Sequence, residues 1–465
     1  MNPGASHEPA QPTPGKHARH PKAGSISQPL LFAASTYALG QVANFLFQLR
    51  LLYLLGPSQY GETGLAHLLL VTLIFLADLG YSSLFLREVG SSSNWQHTWR
   101  YALGHRLAAT AMLLAASTLG WQLWGSEGAS QEYLLWAAPA CLLALFNYSS
   151  PMIAEGRRLA GLLVTQVAWP AALLFWYLLE DTLAQSMAAT AGLSVSLGYL
   201  VQALVNVICS RQLKLWLPLV GKGQIGAAVH LSLIGICGTL HDRLTPFLLA
   251  PLAPTFLPFF LILNHVLSGL SGIQAQLARL LLPTANTAPG QARILTVASL
   301  LLWGTATVLL AGLLIKDLAL FTEQRPWLGL AAIVIFAWGL SASSGVLATL
   351  LISARLEGRL MRLLAIGMTG SALLQIGAAW AGDADYLLWA RMAGVLAVLV
   401  WQLKLLKLRF GLAGLTTLAL SLLACVADAT DWAMTIGTVL LLPILIGLLR
   451  QMPCYLPARR AGAHP

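Results

Sequence analysis

Residues 49–90, LRLLYLLGPSQYGETGLAHLLLVTLIFLADLGYSSLFLREVG, decide how the whole chain is read. Two apolar segments are joined by a turn, Gly56-Pro57 followed by Tyr60-Gly61, and the second is interrupted by Asp78-Leu79-Gly80 before Arg87. With the residues that flank them, the segments are long enough to cross a hydrocarbon core of roughly 30 Å as helices. Neither alternates apolar and polar residues as the strands of a membrane barrel do. The unit is therefore a helical hairpin in lipid. It carries Arg50, Asp78 and Arg87, and a charge at membrane depth calls for a cavity, a partner or the interface.

The rest of the 465 residues extends that unit: 57% are hydrophobic and only 9% charged, against about 25% charge in soluble domains. The expected class is an all-α polytopic membrane protein. Windows of about twenty residues predict helices over 28–55, 62–86, 101–124, 133–153, 159–179, 183–209, 225–250, 254–277, 294–315, 327–352, 362–381, 385–403, 412–427 and 431–450. These fourteen spans divide into a basic cytoplasmic tail (1–27), a six-helix bundle (28–210), an interfacial linker (211–224), a second six-helix bundle (225–403), an additional helix pair (404–451) and a cytoplasmic tail (452–465). Residues 1–27 lack an apolar signal core, so the first helix is expected to stay in the protein.

Charge sidedness supports the count. With the N-terminus inside, most of the 27 Lys and Arg fall on cytoplasmic segments, Arg87, Arg100 and Arg106 among them. The outer loops carry Glu127, Glu132, Glu180, Asp181, Asp383, Asp385, Asp428 and Asp431. A miscounted helix would invert this bias partway along, so both termini are expected in the cytoplasm. The net charge of +10 is spread over short loops and gives no basic face for nucleic acid. The five cysteines have no metal-ligand spacing and no Walker A loop is present, which argues against a metal centre or an ATP-driven pump. Trp99, Trp121, Trp124, Trp136 and Tyr386 are expected as interface anchors. Glu155-Gly156-Arg157 recurs as Glu357-Gly358-Arg359 six helices later, and Arg50 has a counterpart in Arg243, as expected for two parallel repeats.

The ionisable residues inside apolar segments are the candidate functional groups. Asp78 shares a helical face with His67 and Thr63, which makes it either part of a polar lining or an acceptor for neighbouring helix ends. His241-Asp242-Arg243 is the charged triplet of the seventh helix. Asp242 and Arg243 either neutralise each other or hold separate partners, and a free Arg243 fork would suit a pyrophosphate oxygen. Arg50 and Arg391 each reach a cavity or snorkel to the outer surface. Gln41, Asn44 and Gln48 form a polar stripe with Tyr37 on the first helix, and His67, His230, His241 and His265 are candidate proton carriers that are equally at home as packing residues.

Arg50, Gly56, Tyr60, Gly61, Asp78, Gly80 and Arg87 together resemble the first hairpin of the polysaccharide-transport flippases, a family of the multidrug/oligosaccharidyl-lipid/polysaccharide (MOP) exporter superfamily. The resemblance implies two bundles that rock about a central cavity and move an undecaprenyl-diphosphate-linked oligosaccharide from the cytoplasmic to the outer leaflet of a bacterial inner membrane. It also implies that Arg50, Arg243 and Arg391 bind anionic headgroup atoms and that Asp78, His241 and Asp242 couple to a proton or sodium gradient or gate the path. Gln41, Asn44, Gln48 and His67 would line the cavity. The partners implied are the lipid-linked oligosaccharide, membrane lipids, and polysaccharide polymerase and chain-length machinery, with no bound cofactor. The chain departs from the family after Arg243, where Leu252-Ala253-Pro254-Thr255-Phe256-Leu257-Pro258 replaces a Gly-x-Tyr turn. A drug or metabolite exporter of the same superfamily would favour acidic cavity residues. A glycan polymerase or ligase would need a longer outer loop than the one around Lys316 to Pro326.

Overall fold

The computed structural model describes residues 27–86, 95–124, 128–155, 157–180, 186–210, 213–281, 285–316 and 325–407. Arg87, Gly156, the tails and the expected helices at 412–427 and 431–450 lie outside these residues. Among the described residues all regular structure is helical: α1 Ser27–Ala77, α2 Tyr81–Leu84, α3 Trp95–Trp124, α4 Ala129–Ala137, α5 Pro139–Leu143, α6 Ser149–Ala154, α7 Arg158–Thr165, α8 Ala168–Leu179, α9 Met187–Ser210, α10 Ile225–Leu252, α11 Leu257–Leu281, α12 Ala288–Lys316, α13 Arg325–Ser353, α14 Glu357–Trp380 and α15 Ala384–Leu406.

The opening hairpin is one bent element. α1 runs through Gly56, whose φ of 72° and ψ of 168° is a backbone region essentially reserved for glycine, and Pro57 follows with no N–H to continue the ladder. The bend turns α1 into two crossings, and the buried Tyr60 hydroxyl donates across it to Gln48 Oε1 at 3.3 Å. The second crossing stops at Ala77, short of the expected 86, because Leu79 and Gly80 both take positive φ. Gly80 is needed twice over: φ is 78°, and a Cβ there would strike the Ala228 carbonyl of α10.

Each of the twelve spans expected between 28 and 403 has a helical counterpart, although three are segmented, 62–86 by the Asp78-Leu79-Gly80 turn between α1 and α2. The span expected at 133–153 breaks before Pro139 and again at Asn147-Tyr148, where Asn206 Oδ1 accepts from the Tyr148 N–H at 2.7 Å. The next is divided near Gln166 into α7 and α8. Among the described residues nine helices are long and apolar enough to cross a membrane, the bent α1 counted once. α3 and α10, 30 and 28 residues long, are not among those nine. The chain is a multi-pass membrane protein.

Packing separates along the sequence. One buried cluster runs from Phe47 to Val195 and gathers α1, α4, α5, α8 and α9, with Leu257 and Leu261 of α11 joining it. A second runs from Leu249 to Leu399 over α10 to α13 and α15. The two meet where α1 lies along α11, through glycines that let the helices approach closely. Gly61 faces Leu257 and Gly64 faces Leu261, while on α11 Gly269 faces Gln41 and Gly272 faces Tyr37.

The segment between α9 and α10 is strapped onto α3. The Leu219 N–H donates to the Arg100 carbonyl at 3.0 Å, Arg100 Nε donates to the Leu217 carbonyl at 2.8 Å, and His105 Nε2 lies 2.6 Å from the Gly221 carbonyl. Trp99 corrects the sequence-based expectation of an interface anchor. It is 1% exposed and packs edge-on against Phe85, Tyr148 and Trp216. Arg106, expected on a cytoplasmic segment, is likewise buried in α3.

Candidate functional site

The polar centre of the protein is assembled from four long helices of the second half. α10 contributes Thr239, Asp242 and Arg243, α11 Asn264, Ser268 and Ser271, α13 Trp338 and Ser341, and α15 Arg391, around a cavity of about 100 Å³. Positions 264, 268 and 271 recur at helical spacing, which is why one face of α11 supplies three of the polar groups. The Trp338 indole N–H donates to Ser271 Oγ at 2.7 Å, fixing that wall.

The charges in this cavity are not equivalent. Arg391 donates from Nη2 to Asp242 Oδ1 at 3.1 Å, joining α15 to α10. Arg391 is 8% exposed, so it does not snorkel outward; it is an interior residue with a bound counter-ion. Asp242 thus takes a partner other than its neighbour Arg243. Arg243, partly accessible in the cavity, forms no ion pair within 4 Å among the described residues, and its buried Nε has no hydrogen-bond partner. Two guanidinium groups around one carboxylate leave the cavity with an uncompensated positive charge on Arg243.

His241 is turned to the other side of α10. Its Nε2 lies 2.7 Å from Ser371 Oγ and 3.1 Å from Gln375 Nε2 of α14. Thr245, one turn on, donates to Gln375 Oε1 at 2.7 Å. If Nε2 accepts from both donors, the ring proton sits on Nδ1, 3.7 Å from Asp242 Oδ1. This buried network pins α10 to α14 and steadies the carboxylate that holds Arg391. Sequence reasoning named His241 but missed Ser371 and Gln375, whose only signal was their four-residue spacing on an apolar helix.

Asp78 lies elsewhere and off the expected helical face. Beyond the end of α1, it accepts from the Ser82 N–H at 3.1 Å and from Ser82 Oγ at 2.8 Å, and it pairs with Arg106 of α3. Arg106 is 4% exposed, and its guanidinium stacks 5.3 Å above the Trp99 ring. Asp78 is therefore the acceptor that closes the α1–α2 turn onto α3, and the structure does not bring it to the Arg243 cavity.

Arg50 does not join that cavity either. Its Nη2 donates to Glu180 at the end of α8 at 2.5 Å, with Tyr53 and Tyr177 rings 5.8 and 5.5 Å from the guanidinium. Both partners are partly open, so the pair contributes on the order of 1 kcal/mol. Arg50→Ala is expected to lower the melting midpoint by a few degrees and to leave substrate affinity unchanged, as checked by thermal melting beside a binding titration.

Gln41, Asn44, Gln48 and His67 are not lining residues of the arginine cavity; they lie along α1, toward the seam with α11. Gln48 and His67 are fully buried, Gln41 packs against Gly269, and Asn44 Oδ1, Gln48 Nε2, Thr63 Oγ1 and His67 Nε2 are buried without a hydrogen-bond partner. The largest cavity among those described, about 910 Å³, is separate again. It lies at the bend of α1 and is walled mainly by apolar groups, including Trp121, Phe247 and Trp327, with Glu62 its one carboxylate.

No family model and no curated protein sequence matches the chain. Solved structures do. An inward-facing multidrug-resistance MATE family transporter of the MOP superfamily aligns at a TM-score of 0.56 and 14% identity, over 80% of this chain and 94% of that one. A MOP superfamily transporter from Pyrococcus furiosus, described as having a binding pocket of reverse polarity, aligns at 0.58 and 13% identity, over 82% of this chain and 94% of that one. The lipid II flippase MurJ, in an inward closed conformation, aligns at 0.54 and 10% identity, over 91% of this chain and 98% of that one. At such identities it is the fold that is shared, and the fold of this chain is that of the MOP-superfamily transporters.

Proposed function

We propose that the protein is a flippase that carries undecaprenyl-diphosphate-linked oligosaccharide units from the cytoplasmic to the outer leaflet of a bacterial inner membrane, with both termini in the cytoplasm, for cell-surface polysaccharide assembly. The observation that carries this reading is the unpaired Arg243 guanidinium in a polar cavity whose carboxylate is already taken by Arg391. A headgroup of phosphates and sugars cannot cross hydrocarbon unaided, whereas its polyprenyl tail can stay in lipid. A cationic fork beside Asn264, Ser268 and Ser271 gives the headgroup one anion-binding group and several hydroxyl or amide partners.

A cavity of about 100 Å³ is well below the roughly 300–1,000 Å³ of ordinary ligand pockets. The headgroup therefore enters only when the helices part, as alternating access between bundles 28–210 and 225–403 requires. The separate cores on either side of the α1–α11 seam support that division. A cation-coupled drug exporter would use a free acidic residue in this position, and Asp242 is held by Arg391. A polymerase and chain-length machinery would act on the delivered unit in the outer leaflet.

Leaflet-resolved analysis of polyprenyl-diphosphate glycans in cells lacking the protein tests the assignment, using a membrane-impermeant sugar-binding probe on right-side-out and inverted vesicles. Build-up confined to the cytoplasmic leaflet is the expected result. Normal distribution over both leaflets overturns it in favour of small-molecule export.

A further inference from the structure

The α1–α11 seam carries a pair of histidines that neither the arginine cavity nor the α10–α14 network uses. His67 of α1 is 0% exposed, and its Nδ1 lies 2.6 Å from the Tyr133 hydroxyl of α4. The other ring nitrogen, Nε2, is buried with no partner. His265 of α11 faces it with ring centroids 5.7 Å apart, and Trp169 of α8 closes another side at 5.3 Å. An orphaned nitrogen at full burial is a cost that native structures rarely carry without a use. Here it sits beside a second imidazole, on the line where the two buried cores meet.

We propose that His67 and His265 form a proton-binding site across the α1–α11 seam, and that its occupancy sets how closely the two helices pack. In the neutral pair His67 uses only one nitrogen. One added proton makes both nitrogens of a ring donors, one toward Tyr133 and the other toward the facing imidazole. Tyr133 of α4 and Trp169 of α8 contact His67, and Arg243 of α10 is the charged group near both rings. A charge added among these buried and largely apolar neighbours gives up its hydration, and that cost falls when the helices separate.

The glycine contacts on either side make the seam responsive. Gly61 and Gly64 receive Leu257 and Leu261, and Gly269 and Gly272 receive Gln41 and Tyr37, which keeps α1 and α11 at close approach, so a charge at the middle acts on the whole contact. Acidification is therefore expected to loosen the seam. The inference supplies an ion site for the transporter proposed above but uses no property of its substrate, so either can fail without the other.

Hydrogen exchange on the full chain in detergent tests it, comparing peptides over 57–72 and 257–272 at pH 8 and pH 5.5, with labelling times matched for intrinsic chemistry. Exchange in both is expected to quicken about tenfold at the lower pH, the change given by one unit of difference in proton affinity between the two packings. His67→Asn, which preserves the link to Tyr133, and His265→Asn should each flatten the response. A flat response in the unmodified protein, or one retained in both variants, overturns the proposal. Should a variant fail to fold, carbon-13 NMR of the unmodified protein with labelled histidines decides: two resonances that shift together with pH uphold the pair, and no such pair sinks it.

Discussion

Asp78→Ala is expected to lower the stability of the protein by about 3 kcal/mol, the lower end of the range for breaking a buried ion pair. The lower end applies because the Asp78 side chain is 27% exposed, whereas the Arg106 side chain it abandons is 4% exposed and has little water to turn to. The Ser82 N–H and hydroxyl lose their acceptor in the same change, so the turn through Leu79 and Gly80 opens where it meets α10. Thermal melting of the purified protein and its monodisperse yield would show the loss. Asp78→Asn keeps an acceptor for Ser82 and should cost less. The double change Asp78→Ala with Arg106→Met removes the stranded cation and should recover most of the stability. An Asp78→Ala protein that melts normally but no longer transports would return Asp78 to the gating role that its place near the second crossing first suggested.

How much of this was legible in the sequence depended on the kind of signal. Long apolar runs and the sidedness of basic residues report the solvent directly, so the helical class and the order of the described spans could be read without a partner in view. The stop at Ala77 was missed, the helix being expected to run to 86, but the bend at Gly56-Pro57 was equally local, since glycine and proline announce their backbone needs. Pairings were not. Arg50 and Glu180 are 130 residues apart, Asp242 and Arg391 149. Whether an arginine is free or neutralised is decided by helices that meet only after folding, so Arg50, Arg243 and Arg391 looked alike in one dimension. Arg106 was hidden for a related reason: a basic residue near a helix end reads as sidedness until its side chain is seen under Trp99.

The same contrast predicts the strongest functional effect. Arg243→Ala is expected to weaken binding of farnesyl diphosphate, a short polyprenyl diphosphate, by roughly ten- to a hundredfold, as the loss of one or two charge-assisted hydrogen bonds of about 1.5–3 kcal/mol implies. Its melting midpoint should stay within a few degrees of the unmodified protein, because no ion pair is broken and a partly buried cation is relieved of its desolvation. Arg391→Ala should behave in the opposite way, since it strands Asp242 and uncouples α15 from α10; stability falls first and binding falls with it. Arg243→Lys separates charge from geometry. It keeps the positive charge but gives up the planar fork, so an affinity between those of arginine and alanine identifies two-point recognition of phosphate oxygens. Calorimetric titration of the three proteins beside their melting curves distinguishes the cases. Unchanged affinity in Arg243→Ala would leave the free guanidinium without a ligand and remove the observation on which the flippase assignment stands. Loss of fold in that variant would mean that Arg243 is a structural member of the α10–α11 contact rather than the anion receptor of the cavity.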